Sequence, residues 1–118
     1  MRRTNYAHYC DRYQGNIIPE RESHDMFAQA AYELARFERI YSIAEPEDPE
    51  AWENALCAMA DVLYMIQMAQ NGTGTVSSAT IGSVSVSYGN TQQMDLSPKG
   101  QDRALYRAAS IHLDIYRG

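Results

Sequence analysis

A chain of 118 residues with 45% apolar side chains carries enough hydrophobic material for one folded domain and too much for a disordered one. Its formal net charge of −5 argues against a sequence-independent duplex-DNA binder, which needs a dense cationic footprint to displace counterions. Lys99 is the only lysine among ten basic residues, and arginine forks suit fixed ion pairs and interfaces better than a diffuse basic surface.

Cys10 and Cys57 form no CxxC pair, and Cys57 falls inside an apolar helical pattern, so a reducing environment is expected. No apolar run follows the first residues, so no signal peptide is expected. The apolar stretch over 55–69 is interrupted by Asp61 and Gln67 and is too short and too polar for a membrane span.

Tyr6, Tyr9 and Tyr13 recur at spacings of three and four, which predicts a short helix or arm over 4–14 with one aromatic face. Gly15-Asn16 breaks it. A first long helix then starts between Pro19 and Ser23, either of which suits a helix entrance. Phe27, Ala30, Ala31, Leu34 and Tyr41 form its apolar stripe, with Phe37 and Ile40 beside it. Pro46 places its end near 42–44.

Asp48-Pro49-Glu50 reads as an N-cap, a first-position proline and an early acid, opening a second helix that runs to 70 or 71 before Gly72. Trp52, Leu56, Met59, Leu63 and Ile66 mark its stripe, widened nearly all round by Cys57, Ala58, Ala60, Val62, Met65 and Met68. A helix apolar on almost every face belongs at the centre of a fold. Residues 71–97 are rich in serine and threonine, and Asp95 is their only acid or base. Val84, Val86 and Tyr88 alternate with serines at strand period, with 76–81 as a possible partner strand across Gly82-Ser83. Such a hairpin is marginal alone and needs support from elsewhere. Ser97-Pro98 opens a last helix, with Leu105, Ala108, Ala109 and His112 at helical spacing. The expectation is a mainly α fold: a small bundle of three main helices plus a short N-terminal one. It is one domain over 1–118, with 71–97 protruding as a loop or β-hairpin.

Little in the chain carries chemistry. His8, Cys10 and Asp11 lack a second pair at metal-ligand spacing, and His24 and His112 are isolated. Gly72-Thr73-Gly74 lacks the lysine of a phosphate loop and reads better as a helix stop. Asp61, in the middle of the apolar helix, is the best candidate for a perturbed carboxylate. It reads as a structural acid, paired to an arginine or facing a neighbouring subunit, since no base or second acid accompanies it. The acidic run Glu45, Glu47, Asp48 and Glu50 reads as a solvated helix start. No catalytic residue, metal ligand or cofactor is expected, and no enzyme.

Four segments carry a family resemblance. Tyr13-Gln14-Gly15-Asn16-Ile17-Ile18-Pro19 is similar to a Y-x-G-x-x-I-P step into a long helix. Ala55-Leu56-Cys57-Ala58-Met59-Ala60-Asp61-Val62-Leu63-Tyr64 is similar to an A-x-C-x-x-A-[DE]-x-[LI]-Y run. Residues 76–88 resemble an I-x-S-E-x-[IV]-G-x-x-S-V-S-Y loop, with Ala79 in place of the acid. Leu113-Asp114-Ile115-Tyr116-Arg117-Gly118 resembles a terminal G-L-x-Y-R-G. In this order they resemble the tailed-phage head–tail connector family, small adaptor or head-completion proteins of the virion. The resemblance implies a homo-oligomeric ring, commonly of about twelve copies, docked under the portal protein after DNA packaging and leading to a stopper or tail-completion protein. Genomic DNA would pass through such a ring without sequence-specific binding. Arg103, Tyr106, Arg107, Ile115, Tyr116 and Arg117 are the expected portal or partner contacts. Val76, Ile81, Gly82, Val84, Val86 and Tyr88 are the expected inter-subunit loop residues. Composition alone leaves a second reading open, a stand-alone helical binding or regulatory module.

Overall fold

The computed structural model describes residues 2–70 and 96–117. These form four helices and two short strands: α1 (Tyr6–Asp11), α2 (Glu20–Ile40), β1 (Tyr41–Ile43), α3 (Ala51–Gln70), α4 (Pro98–His112) and β2 (Ile115–Arg117). The fold is mainly helical, with α3 packed between α2 and α4. Thirteen of the twenty residues of α3 are buried, as its all-round apolar pattern requires. Residues 71–95, and with them the expected hairpin, lie outside the described residues.

Each helix start has a local cause. The Asn5 side chain accepts the His8 N–H at 2.8 Å and opens α1. Pro19, in extended conformation, sets the start of α2 at Glu20. Ser23 is therefore not the cap; its Oγ donates to the Glu20 carbonyl at 2.7 Å from inside the first turn. Asp48 does cap, accepting the Glu50 N–H at 2.9 Å, but Pro49 and Glu50 form a turn and the regular helix begins at Ala51. At α4, Ser97 accepts the Gly100 N–H at 3.1 Å and Pro98 is the first residue, as the sequence predicts.

The helix end expected at 42–44 falls at Ile40 instead. Tyr41, Ser42 and Ile43 leave helical geometry and pair antiparallel with Arg117, Tyr116 and Ile115. The Ala44 N–H extends the ladder to the Asp114 carbonyl at 3.0 Å. Tyr41 thus leaves the helical stripe and packs edge-on against Phe37 and Tyr106. Phe37 is fully buried, whereas its neighbour Ile40 stays exposed. Across the bundle, Arg36 on α2 holds Asp102 on α4 at 2.7 Å.

Candidate functional site

The most constrained polar group in the described residues is Asp61. It is buried at the middle of α3, on the face turned toward the N-terminal segment. One carboxylate oxygen accepts the Tyr9 hydroxyl at 2.7 Å and the other accepts the Tyr13 hydroxyl at 3.3 Å. The four-residue spacing of the two tyrosines puts both rings on one side of the N-terminal segment, stacked 5.8 Å apart. The Tyr9 hydroxyl also accepts the backbone N–H groups of Ile17 and Ile18, at 2.9 and 3.0 Å. One phenol therefore joins α3 to the turn that leads into α2.

That turn must come very close to the ring. Gln14 takes the left-handed conformation at φ 63°, and Gly15 passes so near Tyr9 that an added Cβ would lie 2.3 Å from ring carbons. Gly15 is required for close approach, which is a different reason from the helix break read from sequence.

The electrostatics follow from burial. Asp61 is pushed up to about 6 by desolvation, partly offset by the two tyrosine hydrogen bonds that favour its charged form. Burial, followed by the Asp61 carboxylate, holds both tyrosine hydroxyls in their protonated, donating form. Cys57, one turn before Asp61, is pushed up to about 12 by burial and behaves as a small hydrophobe. This group binds structure together: it holds a carboxylate between two phenols and presents neither a nucleophile nor a paired base.

The expected partner of Asp61 was an arginine or another subunit, and that expectation is corrected by the two tyrosines. The missed partners carried a signal, since the four-residue spacing of Tyr9 and Tyr13 puts them on one side and Asp61 is the one buried acid among the described residues. Nothing in the sequence said the two surfaces would meet. The His8, Cys10 and Asp11 trio separates in space. His8 is buried with Nε2 2.9 Å from Asn54 Oδ1, whereas Cys10 and Asp11 are exposed. No group of three His, Cys, Asp or Glu residues suited to a metal occurs among the described residues. No described helix is long and apolar enough to cross a membrane.

The residues expected at a partner surface divide into two sets. Arg103 and Arg107 are exposed along α4, and Tyr116 is 58% exposed on β2. Ile115 is half-buried against the core, and Tyr106 is half-buried with its hydroxyl donating to the Ile115 carbonyl at 3.2 Å. These two secure the C-terminal strand. Arg117 sits opposite Tyr41 in the ladder. Val76, Ile81, Gly82, Val84, Val86 and Tyr88 lie outside the described residues. No family model, curated protein or solved structure matches the chain.

Proposed function

We propose that this chain is a structural virion protein, the subunit of a head–tail connector ring that docks under a phage portal and joins the head to the stopper or tail. The observation that carries the reading is the order of the four resembling segments along one small chain. Their roles in the fold add support. The first and second segments meet directly through the Tyr13 hydroxyl, which donates to Asp61, and Gly15, Ile17 and Ile18 of the first also surround Tyr9, which bonds to the same carboxylate. The fourth pairs with β1 through Ile115, Tyr116 and Arg117. Three of the four resembling segments thus fall on residues that hold the architecture together.

In this reading the outward-facing residues make the contacts. Tyr116 is the portal anchor: a large, exposed aromatic on a short strand held in place by its neighbours. Removing residues 115–118 would also remove the β1 pairing, so the cleaner perturbation is Tyr116→Ala. Purified heads that carry the portal but lack the connector are mixed with wild-type or Y116A chain and sedimented. Wild-type chain should travel with the heads and Y116A should stay in the supernatant while melting like the wild type. Wild-type chain that fails to bind portal-bearing heads sinks the connector reading and favours a stand-alone binding module.

A further inference from the structure

Among the described residues of this acidic chain, α4 carries a concentrated cationic face. Lys99, Arg103 and Arg107 follow one another at four-residue intervals, so they form a stripe along one side of the helix. All three are exposed, and none makes an ion pair with another described residue. Helix stability does not account for them. Lys99 sits in the first turn, where the helix dipole is already positive and an acid would be favoured. Lys99 and Arg103 also line an open hollow with Tyr41 and Tyr106. The one acid lining it, Asp102, pairs with Arg36, which also holds Glu33, so the stripe's own cations make no ion pair with it.

The same chain carries a surface of complementary chemistry. Between β1 and α3 runs the segment Glu45-Pro46-Glu47-Asp48-Pro49, with Glu45, Glu47 and Asp48 exposed. Two prolines restrict its backbone, which lowers the entropy lost on docking. Proline rings pack well against aromatic faces such as those of Tyr41 and Tyr106, while carboxylates match lysine and arginine.

We propose that the Lys99–Arg103–Arg107 face of α4, with the Tyr41–Tyr106 hollow beside it, docks the acidic Glu45–Asp48 segment of a second copy of this chain. The two surfaces differ, so the contact is head-to-tail and can repeat from copy to copy around a closed ring. The proposal rests on the ring reading above and names its subunit contact. It assigns Arg103 and Arg107 to the neighbouring subunit and leaves Tyr116 for the portal.

The test is charge reversal, read as self-association by analytical ultracentrifugation over a concentration series at low salt. One variant is K99E/R103E. The other is E45K/E47K, which leaves the Asp48 cap of α3 in place and gives up the Glu45 acceptor of the Trp52 indole N–H, 3.2 Å away. All substituted positions are exposed, and thermal melts check that both variants fold. Wild-type chain should self-associate, and added salt should disperse it. Each variant alone should associate at least about tenfold more weakly, because attraction becomes repulsion. An equimolar mixture of the two should regain association, since each loop then meets an α4 face of opposite charge. Wild-type chain that stays monomeric throughout, variants that associate like wild type, or a mixture no better than its components would each overturn the contact. If the reversals have no effect while portal-bearing heads still capture the chain, the contact fails and the connector reading stands. If the mixture rescues association but heads ignore the wild type, the contact stands and the connector reading fails.

Discussion

Replacing Asp61 by asparagine tests the buried clamp through the pH dependence of stability. The carboxyl is raised from an ordinary 3.8 to about 6 in the folded chain. The folded state therefore holds this proton more tightly than the unfolded state does. The stabilisation is fully present below the unfolded value and is lost as pH rises through about 6. A shift of roughly two units corresponds to about 3 kcal/mol at most. Asparagine keeps the shape without the charge. Its carbonyl can accept from Tyr9, whose oxygen is already engaged by two backbone N–H groups, and its amide can donate to the Tyr13 oxygen. The assay is urea denaturation of wild type and D61N at fixed salt, between about pH 4 and about pH 7.5. Wild type should lose ground to D61N across that range, by up to about 3 kcal/mol. The comparison removes the opposing influence of His112. Burial lowers its pKa, so its contribution is present above its unfolded value and is lost as pH falls, equally in both proteins. Stability curves that run parallel, or a wild type that gains on D61N as pH rises, would refute the assignment of a buried, desolvated carboxylate.

Three further predictions concern the same clamp and the turn packed on it. Tyr9→Phe removes the donor to Asp61 and strands two buried backbone N–H groups, so it should cost about 2–4 kcal/mol by urea denaturation. Tyr13→Phe removes a single longer bond and should cost about 1 kcal/mol or less in the same measurement. Gly15→Ala drives a methyl into the Tyr9 ring and should lower stability by about 1–3 kcal/mol; an unchanged midpoint would show that the turn moves aside freely.

Much of the helical framework was written in local chemistry. The apolar runs of α2 and α3, the Ser97-Pro98 opening of α4 and the central place of α3 follow from periodicity and caps, which act over a few residues. The end of α2 moved for a reason beyond that range. Ile40 ends α2 because Tyr41–Ile43 finds a partner more than seventy residues away, and three residues are too few to display a strand period. Ile115 and Tyr116 look alike as exposed apolar residues of a tail. Pairing in register turns one toward the core and the other to solvent, since successive strand residues face opposite sides.

The surfaces show the same division. The sequence by itself determined that Asp61 would be an acid in an apolar helix, that the chain would be acidic, and that its cations would be mostly arginines. These are properties of composition and of neighbours along the chain. Only the tertiary structure decided that two tyrosines from the N-terminal segment satisfy Asp61, and that Tyr41 and Tyr106 come together beside Lys99 and Arg103. Those meetings depend on how helices pack across long separations, and burying α3 on both sides leaves Asp61, its buried carboxylate, in need of the hydrogen-bond donors that the two tyrosines supply.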